Sequence, residues 1–454
     1  MKIIIIGDGK VGFNLAENLS REDNDVTIID KNPEALRKAD ETLDVMCVKG
    51  NGLNTGVLAD AGVQGSDIVI AATTNDEMNM VCCLTAKKLG ARHTIARIRD
   101  PEYANELARL KEDLGLDMII NPEQAVAGEI ARLLEFPSAA NIEVFAEGRV
   151  VMMEMKVTAE MPIVGMSLQE MTRKAALSVL IGGVVRGEEI IIPRGDFVIR
   201  SGDIIYIVGR PYRVIQFFRK AGVQVQKIKN VMIMGGGRIA YYLARYLEEM
   251  DVGVKIIEID EKRCVQLTEM LPDALIIHAD ASDESVLHSE KLESMGAFIS
   301  VTGRDEENLI AALLAKQYGV SKVVAKINRI NFSAAIRNLG IDNLVSPKMT
   351  TANYILRYVR GLQNAVDNPV KTLYRIMDGR AEALEFVADA NTSFVEIPLR
   401  RLHIKPGILV AAIVRSNEII IPGGNDVIKP RDSVILIAYE TILSDLNDIV
   451  YPEG

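Results

Sequence analysis

The 454-residue chain has only four cysteines and four histidines, and each scarcity removes a class of function. Cys47, Cys82, Cys83 and Cys264 lack CxxC spacing and lie in apolar segments, as buried thiols do in a reducing compartment, so neither a disulfide framework nor a zinc site is expected. His93 and His278 flank predicted strands, while His288 and His403 stand alone in polar surroundings. No metal-ligand cluster and no Ser/His/Asp arrangement follows from them. Basic charge is also short: 52 Lys and Arg against 62 Asp and Glu give a net charge of -10. With no basic, aromatic-rich stripe to neutralise phosphates along a duplex, nucleic acid is not an expected partner. Long apolar runs are missing too. The stretch before Gly7 is shorter than the core of an export signal, and Ala175 to Val185 is too short to cross a bilayer and contains two glycines, so any link to a membrane is expected to go through a partner.

What is present is a repeat. Gly7-Asp8-Gly9-Lys10-Val11-Gly12 aligns with Gly235-Gly236-Gly237-Arg238-Ile239-Ala240, and Asp30 with Glu258, at an offset of 228. At an offset of 229, Thr73 through Asn79 aligns with Thr302 through Asn308, and Val185-Arg186 with Val414-Arg415. In each copy, short β-branched runs alternate with helical periods, which predicts a parallel sheet with helices on both faces. The expected strands are Lys2 to Ile6, Val26 to Asp30, Val45 to Val48, Ile68 to Ala72, Thr94 to Ile98 and Met118 to Ile120, with six counterparts in copy two. A strand-rich stretch follows, with strands expected at Val150 to Val157, Ala176 to Val185, Glu189 to Pro193 and Asp203 to Val208. The fold class is therefore α/β: two doubly wound parallel-sheet, Rossmann-like domains, each followed by a small α+β domain. The expected boundaries are residues 1–122, a connecting helix 123–143 and a module 144–225, then 228–347, 348–370 and 371–454. With 48% hydrophobic and 25% charged residues, the chain should fold throughout.

Gly7, Gly9 and Gly12 follow an apolar strand directly and open a helix. In a dinucleotide fold these glycines serve the tight turn, the close approach of a pyrophosphate and helix–strand packing respectively, and the amides at the helix start attract phosphate. Asp30 and Glu258 close the second strand of their copies where an acid accepts ribose hydroxyls and repels a 2'-phosphate, favouring NAD(H) or another adenosine nucleotide over NADP(H). Thr73 and Thr74 end the fourth strand and are candidates for ribose or phosphate, with a helix-capping role as the rival. Arg97 interrupts an apolar strand and calls for an anion, either a bound phosphate or a neighbouring carboxylate. Lys10 and Arg238 sit inside the glycine turns within reach of phosphates. Neither copy offers a convincing proton donor or acceptor for hydride chemistry.

These features, with Leu15-Ala16-Glu17-Asn18-Leu19, Ala96-Arg97-Ile98-Arg99 and His278-Ala279-Asp280-Ala281-Ser282, resemble the Trk-type potassium uptake regulators, whose units are called RCK or KTN domains with C-terminal companions. The resemblance covers the whole chain. It implies a non-enzymatic gating subunit, cytoplasmic and peripheral at the inner face of the membrane, assembled as a homo-oligomeric ring under a Trk-type potassium-translocating subunit. It implies NAD(H), with ATP or ADP as alternatives, bound in copy one by Gly7, Asp8, Gly9, Lys10, Val11, Gly12, Asp30, Thr73, Thr74 and Arg97. In copy two it implies Gly235, Gly236, Gly237, Arg238, Ile239 and Glu258, with Asp280 and Thr302. Copy two departs at Ala240, Gly303 and Lys326, in place of Gly12, Thr74 and Arg97. The competing reading is an NAD-dependent oxidoreductase with a duplicated cofactor fold. A transcriptional redox sensor would need a helix-turn-helix, which the sequence does not offer.

Overall fold

The structure, a computed structural model, describes residues 1–22, 24–101, 103, 115–137, 139, 141–175, 179–223, 227–328, 341, 343–363, 370–377, 379–416 and 418–451. In chain order, copy one runs β1 (Lys2–Ile6), α1 (Lys10–Ser20), β2 (Asp25–Asp30), α2 (Pro33–Thr42), β3 (Met46–Lys49), α3 (Thr55–Asp60), β4 (Ile68–Ala71), α4 (Asp76–Lys88), β5 (His93–Arg97) and β6 (Met118–Ile120). Helix α5 (Pro122–Glu135) leads to β7 (Ile142–Phe145), β8 (Val150–Lys156), α6 (Leu168–Ala175), β9 (Val179–Arg186), β10 (Glu189–Ile191), β11 (Ile204–Gly209) and α7 (Pro211–Lys220). Copy two repeats this with β12 (Asn230–Met234), α8 (Arg238–Glu249), β13 (Gly253–Glu258), α9 (Glu261–Met270), β14 (Leu275–His278), α10 (Glu284–Ser289), β15 (Ala297–Ser300), α11 (Asp305–Gln317), β16 (Lys322–Lys326) and β17 (Asn343–Val345). Helix α12 (Pro347–Gln363) then leads to β18 (Val370–Ile376), β19 (Ala381–Val387), β20 (Ile408–Arg415), β21 (Glu418–Ile420) and β22 (Ser433–Tyr439).

The chain divides into two compact units that regroup like with like: residues 1–131 with 229–356, and 132–228 with 357–454. In the first unit each copy forms a six-stranded parallel sheet, ordered β3-β2-β1-β4-β5-β6 and β14-β13-β12-β15-β16-β17. Strands β1 and β12 are apolar on both faces, and all of Ile3, Ile4, Ile5, Val231, Met232 and Ile233 are fully buried, because helices cover both sides of a parallel sheet. The strand order reverses between β1 and β4 and between β12 and β15. The crevice beyond the carboxyl ends of those strands is where such sheets hold ligands.

In the second unit the two modules form five-stranded antiparallel sheets, β10-β9-β11-β8-β7 and β18-β19-β22-β20-β21. One apolar cluster draws Phe145, Val150, Val208, Ile376, Ala383 and Ile437 from both. The Phe145 and Tyr374 rings meet edge-on at 5.1 Å, and the Tyr374 hydroxyl donates to Val144 O at 2.9 Å. Buried Glu385 accepts from the Ala146 amide at 2.8 Å and from Ser433 Oγ at 2.7 Å. Each module also carries the same clip. Arg186 grips Asp203 with two bonds of 2.8 Å, and Arg415 grips Asp432 at 3.0 and 2.8 Å, a bidentate geometry that holds two strands in register.

The fold differs from expectation in detail. Strand β7 begins inside the segment expected to be a connecting helix. The strand expected from Ala176 begins at Val179, residues 176–178 lying outside the described set. Among the described residues, no helix is long and apolar enough to cross a membrane.

Candidate functional site

Helices α2, α3, α4, α9 and α10 start under a side-chain cap from Asn32, Asn54, Asn75, Asp260 and Asp283. Helices α1 and α8 do not. Their N-cap residues are Gly9 (ψ -175°) and Gly237 (ψ -173°), extended and without a side chain to offer, so the first amides of both helices are left for a ligand. Gly7 and Gly235 make the turns at φ +104° and +97°, against the backbones of Thr73 and Thr302, a conformation that glycine adopts freely. A Cβ on Gly12 would come within 1.8 Å of Gly7 O, so the bare glycine allows α1 to lie close on β1. Copy two seats Ala240 there, fully buried.

An acid ties each turn down. Asp30 accepts from the Asp8 amide at 2.6 Å and the Asn32 amide at 2.7 Å. Glu258 accepts from the Gly236 amide at 2.6 Å and the Asp260 amide at 2.9 Å. Both carboxylates are half-buried, and each keeps lone pairs free of these two bonds.

One cavity of about 1180 Å³ runs between the two copies. Copy one lines it with Gly7, Gly9, Lys10, Val11, Asp30, Thr73, Thr74 and Arg97, and copy two with Gly235, Gly237, Arg238, Ile239, Glu258, Asp280 and Thr302. Asp8, Gly12 and Gly236 do not line it. The Asp8 amide is already taken by Asp30, and its carboxylate is buried with both oxygens unpartnered. Burial first, then the charge of Asp30, push that carboxyl up to about 6. Copy two has no room for such a side chain, because a Cβ on Gly236 would meet Leu267 at 2.5 Å, where copy one has the smaller Ala39.

The threonines are occupied more locally than their position suggests. Thr73 Oγ1 donates to Asn79 Oδ1 at 2.6 Å and accepts from the Asn75 amide at 3.3 Å, while Asn79 Nδ2 donates to Arg97 O at 2.8 Å. Thr302 and Asn308 repeat this lashing, at 2.8 Å for the hydroxyl and 3.0 Å from Asn308 to Lys326 O. The cap of α4 is Asn75 and not Thr73, and the lashing fixes where Arg97 and Lys326 emerge. Arg97 has a carboxylate partner, Glu123, at 3.7 Å, yet its Nε has no partner. Burial, partly offset by Glu123, pulls the guanidinium below its ordinary range.

The fold also brings to the cavity several groups that the sequence did not single out as site residues: Arg99, Glu123, Arg304, Lys326 and Lys348. Arg99 pairs with buried Asp76 at 3.2 Å and donates to Thr74 O. The two copies also meet directly. Asn121 Nδ2 donates to the Tyr242 hydroxyl at 2.8 Å, Tyr242 donates to Arg99 O at 3.3 Å, and Arg238 lies 3.9 Å from Asp100. Aligning Pro122-Glu123 with Pro347-Lys348 would have exposed a reversal of charge at the second residue of each connecting helix.

Two uncapped glycine turns, each tied to an acid at a sheet's switch point, define a duplicated dinucleotide-fold protein with paired C-terminal modules. The family models agree with this division: the TrkA-N domain matches residues 3–122 and 231–347, and the TrkA-C domain residues 152–222 and 383–450. The chain belongs to the TrkA family of potassium uptake proteins. It is 36% identical to Trk system potassium uptake protein TrkA homolog 1 of Methanosarcina mazei, over 98% of this chain and 99% of that one. To Trk system potassium uptake protein TrkA of Haemophilus influenzae it is 35% identical, over 96% and 95%. The fold is shared with the GsuK channel bound to NAD (TM-score 0.62, 18% identity, 97% of this chain and 77% of that one).

Proposed function

We propose that the chain is a nucleotide-binding regulatory subunit of a potassium uptake system, which controls a separate membrane-embedded potassium-translocating subunit from the inner face of the membrane and catalyses no reaction itself. The observation that carries this reading is the pair of uncapped glycine turns facing one cavity within a TrkA-family chain. The uncapped amides would take phosphate and the outward lone pairs of Asp30 and Glu258 a ribose, which suits NAD(H), and ADP or ATP fit the same turn. A ring of such chains would pass the nucleotide state to the transporter only if the ligand binds two arrangements unequally, since equal affinity shifts nothing.

Two results are expected. Asp30→Ala removes both the ribose acceptor and the tie to the turn, and should weaken NADH binding about tenfold or more, because hydrogen bonds to a charged group contribute roughly 1.5–3 kcal/mol; calorimetry showing unchanged affinity would count against the assignment. Deleting the gene should impair growth at low external potassium, and the tagged protein should recover a potassium-translocating membrane subunit. Normal potassium uptake, with no such subunit recovered, would return the oxidoreductase reading to first place.

A further inference from the structure

The start of helix α12 carries a cation that belongs to the other copy's site. Lys348 lines the cavity, and the charged groups facing it are Lys10 and Glu17 on α1, Lys38 on α2 and Asp305 on α11. Thus three of the four come from copy one. Lys10 lies in copy one's glycine turn, and among the described residues neither it nor Lys348 has a hydrogen bond or ion pair. Burial and the charge of Lys10 hold the Lys348 ammonium below its ordinary range. Lys348 is half-buried while Lys10 is exposed, and Glu17 and Asp305 offset their mutual repulsion without bonding to either ammonium, so an anion settling between the two ammonium groups would be attracted by both.

The same place in copy two is filled differently. Glu123, the counterpart of Lys348, lies 3.7 Å from Arg97 and adds its negative charge to the surroundings of Lys326. Arg238 of the copy-two turn already faces Asp100, 3.9 Å away. Copy one therefore receives an unpaired cation from its neighbour, and copy two receives carboxylates. NAD(H) carries its two phosphates as an internal diester with one negative charge each, whereas ADP and ATP end in a free, more highly charged phosphate.

We propose that Lys348 of copy two completes the nucleotide site of copy one by binding the terminal phosphate of an adenosine di- or triphosphate, so that copy one favours these ligands over NAD(H) and copy two does not. This rests on the reading of the cavity as a nucleotide site, and the test separates the two. ATP and NADH are titrated by calorimetry into the full-length chain and into its Lys348→Gln and Lys348→Arg variants. Loss of Lys348 should weaken ATP at one of two sites about tenfold, a single charge-assisted contact, while changing NADH less than about twofold; arginine should restore most of the loss, and added salt should narrow the gap. Retained NADH binding reports that the variant is folded. Unchanged ATP affinity in Lys348→Gln, or ATP and NADH weakened alike, overturns the role of Lys348. A parent chain that binds neither nucleotide overturns the nucleotide site itself.

Discussion

A full-length chain carrying Gly9→Asp is expected to fold as the parent does and to lose nucleotide from copy one, with affinity falling at least about a hundredfold. The two halves of this expectation have separate causes. No atom lies within 4 Å of where a Cβ on Gly9 would stand, and the residue's extended backbone suits any side chain, so the protein itself meets no clash. The new carboxylate would instead occupy the approach to the uncapped amides of α1, repelling phosphate and supplying the missing cap from within. Losing two or more charge-assisted contacts of roughly 1.5 kcal/mol each accounts for the hundredfold. Gly237→Asp should do the same in copy two, where the position is equally open. Gly12→Val makes the contrast: its Cβ meets Gly7 O, and it should lower stability by about 1–3 kcal/mol as well as binding. Thermal melts beside calorimetry distinguish the two kinds of variant, and a Gly9→Asp chain that kept parental nucleotide affinity at both sites would remove the turn from the site.

The largest loss of stability is expected from the clip in the second unit. Asp203 is 1% exposed, and Arg186→Ala leaves it buried without its cation, a change that costs about 3–5 kcal/mol. The effect should depend on pH. Burial works to raise the Asp203 carboxyl, but bonds from Arg186 and from the Arg200 amide outweigh it and hold the group below its ordinary 3.8. A carboxyl depressed in the folded state stabilises above its unfolded pKa, and that contribution is lost as pH falls through the folded value. The parent and Arg186→Ala should therefore differ most near neutral pH and converge below about pH 4. Urea unfolding at pH 7 and at lower pH measures this; equal stability at pH 7 would show the clip to be dispensable.

Local physics made much of this legible in the sequence. Gly7, Gly9 and Gly12 directly after an apolar strand specify a turn that few other residues allow, and the six strands of copy one lie within a residue or so of their expected bounds. The positions of Asp30 and Glu258 at the ends of β2 and β13 were legible from spacing. What escaped depends on tertiary placement. Strand β7 is four residues long and the Pro137-Ser138 and Asn141 turn signals before it were absorbed into the expected connecting helix, while the alternating apolar residues that join the two modules look like ordinary core. The bond of the Thr73 hydroxyl to Asn79 escaped because Asn79 lies six residues away along the chain, although the two meet in space. Arg97 gave no hint of whether its anion would be Glu123 or a ligand, since their meeting depends on where α5 begins.

The regrouping of like domains has a consequence for how the protein responds to dilution. Where two dinucleotide folds meet as separate subunits, their contact follows mass action and weakens as concentration falls. Here both partners sit on one chain, joined through the folded stretch 132–228, so their contact is intramolecular and does not weaken as the protein is diluted. The tether also frees the two sides from identity. Identical subunits would present glutamate to both sites or lysine to both, whereas a duplicated chain can keep Glu123 on one side and Lys348 on the other, so the two sites can drift toward different ligands.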